Sequence, residues 1–220
     1  PGIGRTYSTA RESRSEICTV PQSAVPHEPD IVWTPARIAQ AWVQGWVVSR
    51  GAPPAVDHGT HLTIPVGLPG HVVRHVFPAL DAEAIRAVVQ GPCEPGTWLK
   101  VVGAPELVRP LLPATWALHP REYLMHTSLA EARVVLDAPP VEFERQGDVM
   151  TATLLAPNGE RAARAQAALA GSAAVFDQVV TEPDHRRKGY GSVLMSLLAR
   201  ACWNRGASLG VLTGAGSRRR

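Results

Sequence analysis

Apolar residues recur at helical spacing in two long stretches of the chain and at strand spacing in several short ones. Ile38, Trp42, Val43 and Trp46 mark one face of a helix. Thr34 is placed to cap it, Pro35 suits its first turn and Gly51 marks its stop. Ala52-Pro53-Pro54 follows as a rigid break. Leu62-Thr63-Ile64 and Val72 to Val76 read as strands, joined by a turn at Pro69-Gly70. Asp81 is the cap of a short helix running through Val89, closed by Gly91-Pro92. Trp98 to Val102 predicts a buried strand, Leu107 to Leu112 a helical turn broken by Pro110, and Tyr123 to Thr127 a further strand.

Beyond Pro139-Pro140 the pattern is cleaner. Val149 to Leu155 alternates as a strand should, and Pro157-Asn158-Gly159 is a hairpin turn. Arg161 to Leu169 is Ala-rich and has local helix preference. The Asn-Gly turn before it and the strand Ala173 to Val180 after it leave little room for a packed helix, so it is read as the returning strand. Ser192 to Asn204 is the second amphipathic helix, with Val193, Leu194, Leu197, Leu198 and Ala201 on its apolar face. Gly206 ends it, and Ala207 to Leu212 is a buried strand.

Composition bounds this α/β reading. Of 220 residues, 45% are hydrophobic and 19% charged, enough apolar material for a real core. No apolar run approaches the roughly 20 residues of a membrane span, and nothing near the start reads as a secretion signal. Cys18, Cys93 and Cys202 are too few and too scattered for a disulfide framework or a zinc site. A reducing, cytoplasmic setting is expected. The net charge of +3 gathers in two clusters, Arg186-Arg187-Lys188 and Arg218-Arg219-Arg220. A nucleic-acid binder would spread its charge along a stripe with interleaved aromatics, so a local anion is the better partner. The chain opens on Pro1 and closes on Gly-Ser-Arg-Arg-Arg, which reads as a fragment or a processed chain.

The informative stretch runs from Val175 to Ser192: a strand, a turn rich in Arg and Gly, then a helix start. The first turn of a helix has N–H groups without intrahelical partners and carries the positive end of the dipole. Gly189 and Gly191 let an anion approach the backbone, and Arg186, Arg187 and Lys188 add charge beside it. The nucleotide-binding loops fail on spacing. The P-loop glycine and its Lys-Ser/Thr pair are missing, and Leu194 stands where the third dinucleotide glycine would be. What remains is Arg186-x-x-Gly189-x-Gly191 after a strand. This resembles the acyl-CoA signature of the GNAT superfamily of N-acyltransferases: Arg or Gln, two variable residues, Gly, one variable residue, then Gly or Ala. A Val-x-Pro-x-x-Arg prefix is common in that family; here it reads Thr181-Glu182-Pro183-Asp184-His185-Arg186.

The resemblance implies an α/β fold with a mixed sheet. A GNAT-like acyl-CoA core would span residues 139–214, preceded by an α+β portion over 31–138 and followed by a tail at 215–220; residues 1–30, with few large apolar residues, are expected by composition to lack fixed structure. It implies acetyl-CoA as cosubstrate and an amine as acceptor. The pyrophosphate would lie on the N–H groups of Arg187, Lys188, Gly189, Tyr190, Gly191 and Ser192, next to the Arg186 side chain. The pantetheine arm would pair with backbone groups of Val179, Val180 and Thr181. Asp177 matches the position where family members often carry a general base; otherwise it is a strand carboxylate facing solvent or pairing with an arginine. Glu182 is read as a turn residue. The family's acid, a Tyr on the helix after the next strand, has no counterpart here. The alternative to N-acetyl transfer is therefore an acyl-CoA-binding protein without turnover. Without the last strands of the usual core, Ala207–Leu212 would be an exposed apolar edge open to homo-oligomer formation. Neither a membrane nor a nucleic acid is expected as partner.

Four remaining signals are read as structural. His58 and His61 lie in a loop without a third metal ligand, and His71 and His75 share one strand face. Trp42 and Trp46 face the core, and Cys202 is buried and inert.

Overall fold

Capping and turn chemistry set the element ends. Helix α1 spans Pro35–Arg50; Thr34 Oγ1 accepts a hydrogen bond from the Arg37 N–H, and Gly51 closes it in the left-handed region. Strands β1 (Val56–Asp57), β2 (Leu62–Leu68), β3 (His71–Phe77) and β4 (Thr97–Val101) form a four-stranded sheet in that order. The β3–β4 pair is parallel, and helix α2 (Ala82–Gln90) is its crossover, capped by Asp81. β4 is half-buried along its length rather than fully buried, because it is the edge of this sheet. Helix α3 (Pro105–Val108) passes into a 3-10 turn at Arg109–Leu111. The computed structural model describes residues 32–130 and 140–215. The tail expected over 1–30, Cys18 and the terminal arginines lie outside the described residues.

The second sheet is six-stranded. It contains β5 (Glu122–Ser128), β6 (Val141–Gln146), β7 (Val149–Leu155), β8 (Arg161–Ala170), β9 (Ala173–Thr181) and β10 (Leu209–Ala215), in the order β5-β10-β9-β8-β7-β6. Strands β6 to β9 form an antiparallel meander. Helix α4 (Tyr190–Trp203) then crosses over so that β10 runs parallel to β9. β6 carried no clear signal in the sequence, because its residues are mostly exposed at the sheet's far edge. Helix α4 starts two residues earlier than the pattern suggests, which puts Tyr190 and Gly191 inside its first turn.

Layering explains why the Ala-rich segment is a strand. α4 packs on one face of β8 and α1 on the other. Ala163, Ala165 and Ala167 lie with Leu194, Leu198 and Cys202 in one fully buried cluster. Small side chains let a helix sit close on each face, so tertiary packing overrides local helix preference. α1 is in turn sandwiched. Its Ile38, Trp42, Val43 and Trp46 pack with Val175, Leu209 and Val211 of the large sheet and with Leu62, Ile64 and Val76 of the small one.

The apolar edge expected at Ala207–Leu212 is not exposed. β5 pairs antiparallel along it in continuous register, from Leu209↔Ser128 to Ala215↔Glu122. Ala207, Leu209 and Val211 are buried. A strand from earlier in the chain supplies the missing edge, so this feature gives no ground for oligomer formation.

Candidate active site

The site begins where β9 and β10 part. Their parallel pairing covers Ala173–Phe176 against Leu209–Leu212 and then stops, although β9 runs on to Thr181 and β10 to Ala215. A bulge accompanies the separation. On β8 one residue lies between Arg164 and Gln166, whereas on β9 two lie between their partners Val180 and Asp177. Gln178 absorbs the extra residue at φ 53°. From Asp177 to Thr181 the side of β9 toward β10 therefore has no strand partner among the described residues, over a length of roughly 16 Å. Val179 and Val180 are exposed there. An extended ligand can take the place of the missing strand.

The bulge is fastened from α1. Asp177 takes both Arg50 Nε and Nη2 on its carboxylate, together with Ser49 Oγ at 3.1 Å and the Gln178 N–H at 2.8 Å. Gln166, buried in β8, donates to the Ser49 carbonyl at 2.6 Å, and Arg164 bridges Gln166 to Gln178. Burial pushes the Asp177 carboxyl up, but the Arg50 hydrogen bonds and charge, with the Gln178 N–H and Ser49, outweigh it and leave it below the usual range.

Beyond Thr181 the chain enters the anion loop. Gly189 sits at φ 79° as the N-cap of α4, with no side-chain cap on the first-turn N–H groups. Arg187, at φ 64°, and Gln178 are the two non-glycine residues with positive φ among those described. Such strain gathers at functional sites. A cleft of about 410 Å³ opens against Thr181, His185, Arg186 and residues 189–192. Among the described residues no carboxylate lines it, and His185 Nδ1 is buried there without a hydrogen-bond partner. This donor set fits a pyrophosphate. Arg186 bends back, donating from Nε to the Thr181 carbonyl at 3.2 Å, so it braces the loop and occupies one backbone group expected to pair with the ligand. Glu182 holds the turn through Arg161.

A second cavity, of about 720 Å³, is lined in part by Trp42, Trp98, Lys100, Glu122, Leu124 and Thr213. Sequence reasoning missed it, because its walls come from both sheets and from α1. Trp42 and Trp46 are buried as expected, but they also carry cations: Arg74 lies 4.3 Å from the Trp46 ring centroid, and Lys100 5.7 Å from that of Trp42. His71 and His75 end in different neighbourhoods. His71 packs on Trp46 and Trp98, and His75 meets Thr63 and His61. Burial pushes the Cys202 thiol up to about 12, which makes it inert.

His71 accepts from Arg74 Nε at 3.1 Å and so must be neutral in the fold. Burial, then the charges of Arg74, Lys100 and Arg50, lower its pKa to about 4. The unfolded chain binds this proton more readily, so the stabilising contribution is complete above pH ~6.5 and is lost as pH falls toward 4. Thermal unfolding should reflect this. The midpoint is expected to drop between pH 6.5 and 4, and the drop should be smaller in His71→Gln, which keeps an acceptor for Arg74 but does not titrate.

Comparison with known proteins agrees with this geometry. Residues 112–217 match the model of the acetyltransferase (GNAT) family, a range that includes β5. A GCN5-related N-acetyltransferase from Kribbella flavida shares the fold at TM-score 0.59 and 18% identity, over 86% of this chain and 90% of that one. A GNAT-family protein from Novosphingobium aromaticivorans is 15% identical at TM-score 0.47, over 81% of this chain and 86% of that one. No curated protein matches. The parted strands, the uncapped glycine loop and the family match lead to one assignment: residues 112–217 form an acetyltransferase domain of the GNAT family, whose members transfer acyl groups from acyl-CoA.

Proposed function

We propose that the protein transfers an acetyl group from acetyl-CoA to an amine by direct attack. The observation that carries this reading is the continuity of the unpaired side of β9 with the uncapped start of α4. A thioester supplies the activated acyl group. The N–H groups at Tyr190–Ser192 and the charges of Arg187 and Lys188 hold the pyrophosphate. Val179 and Val180 present backbone groups along the arm. A backbone N–H of β9 near the fork polarises the acyl carbonyl, as preorganised donors do at other acyl-transfer sites. The acceptor enters from the cavity side, where Thr213 and Glu122 meet the fork.

An alkylamine is protonated at neutral pH and must lose a proton before attack. Asp177 was the candidate base. Its carboxylate already accepts from Arg50, Ser49 and Gln178 and is held below the usual range, which makes it a weak base. We assign it instead as the positioning residue that holds the β9 bulge open. Asp177→Asn is expected to cost about 1–2 kcal/mol of stability, because Arg50 is partly exposed and screened. It should lower kcat while leaving the pH–rate profile in place. Loss of the acidic limb of that profile would restore Asp177 as base.

Turnover is tested by calorimetric titration with acetyl-CoA, followed by CoA-thiol release across an amine panel. Binding with release supports transfer. Binding without release from any amine supports the binding-only reading, and no binding overturns both.

A further inference from the structure

Four cations and two carboxylates stand around the fork; Arg164 has its hydrogen bonds met by the side-chain oxygens of Gln166 and Gln178. Arg50 is engaged by Asp177 and Lys100 by Glu122. Arg74 on β3 is the remaining cation. It is only 9% exposed, and no carboxylate pairs with it among the described residues. Its Nε is used by His71, and its guanidinium lies over the Trp46 ring. Nη1 and Nη2 have no protein acceptor among the described residues. Burial lowers its pKa to about 10, with Glu122 and Asp177 near enough to oppose the shift but not to pair. A buried, unpaired guanidinium is costly to keep in a fold.

Its position suggests what it is for. Arg74 is close enough to Asp177 on β9 and Glu122 on β5 to feel both charges. Its pairing partner Trp98, its strand neighbour Val76 and the Trp42 ring near its guanidinium all line the large cavity. Two parallel N–H donors on a planar fork match a carboxylate in both geometry and charge. We infer that the acceptor is an amine that carries its own carboxylate, an amino acid being the simplest, and that Arg74 binds this carboxylate while the amine faces the fork. The inference rests on the acyl-transfer reading of the fork. A carboxylate on the acyl group would offer the same chemistry. The cavity of about 720 Å³ that Trp42, Val76 and Trp98 line shares no lining residue with the anion loop and has room for an acceptor, so the acceptor is the assigned source.

The test uses binding as well as turnover. Tryptophan fluorescence, reporting through Trp42 and Trp46, follows titration of the protein with N-acetylglycine, N-acetylleucine and N-acetylphenylalanine, each against its C-terminal amide. The acids are expected to bind roughly 10- to 100-fold more tightly than the amides, as for a charge-assisted bidentate pair. Arg74→Met should erase the difference and Arg74→Lys should keep part of it. Equal binding of acid and amide to the unaltered protein overturns the inference without any variant, as does a preference that survives in folded Arg74→Met. So does CoA release that favours a carboxylate-bearing acyl-CoA while remaining indifferent to a carboxylate on the amine. Failure of acetyl-CoA itself to bind would instead overturn the underlying reading, and the acid–amide comparison is independent of that result.

Discussion

Replacing Gly191 by Asp is expected to leave the fold intact and to weaken acetyl-CoA binding by roughly 100-fold or more, the scale of losing charge-assisted hydrogen bonds to a phosphate and gaining repulsion. The two effects separate because of where Gly191 sits. Its φ is not in the left-handed region, and an added Cβ would meet only Thr181 Oγ1, at an ordinary 3.5 Å. α4 has no acidic residue in its first turn, so a carboxylate there would itself complement the dipole and satisfy free N–H groups. Those are the groups assigned to the pyrophosphate. Thermal unfolding should therefore be unchanged or shifted upward, while calorimetric titration shows the affinity gone. Retained affinity would mean that the ligand phosphates lie elsewhere. Gly189→Ala is a poorer probe, because φ 79° strains any other residue and mixes folding with binding.

The largest stability effect is expected at Gly45. α1 crosses β9 so closely that a Cβ at Gly45 would stand 2.3 Å from Val175 Cγ2 and 2.6 Å from Val175 Cβ. Val175 is fully buried and just precedes the point where β9 leaves β10. The helix would have to lift, and its last turn, which carries Ser49 and Arg50 onto Asp177, would move with it. Gly45→Ala should cost about 3 kcal/mol, or a Tm loss of roughly 6–12 °C, by overpacking alone. Acetyl-CoA affinity should fall in the folded fraction as well, because the bulge loses its anchor. A Tm within 2 °C of the parent, on the order of the ~0.5 kcal/mol of a neutral surface change, would show that the helix is not held where the structure places it.

What could be read from the sequence was mostly local. Thr34, Asp81, Asn158-Gly159 and Gly189 act through neighbours a few residues away, so their caps and turns follow from residue chemistry alone. The glycine loop after a strand was legible for the same reason. The fork was not, because it depends on where a strand pairing stops and on one extra residue at Gln178. Asp177 could be noticed as a carboxylate. Its state could not, because Arg50 lies 127 residues away in sequence. The expected open edge failed for the same reason: β5 reaches β10 from more than eighty residues earlier. Arg74 gave no signal at all in a strand of Val and His, and only its own burial, with no carboxylate partner among the described residues, makes its charge stand out.

Amide hydrogen exchange, measured with and without saturating acetyl-CoA, locates the ligand residue by residue. Slower exchange is expected in two adjoining segments, Asp177–Thr181 on the open side of β9 and Arg187–Ser192 at the start of α4, with β6 and the far edge of the sheet unchanged. Protection confined to other parts of the chain, or absent while acetyl-CoA is shown to bind, would contradict the placement of acyl-CoA in the fork.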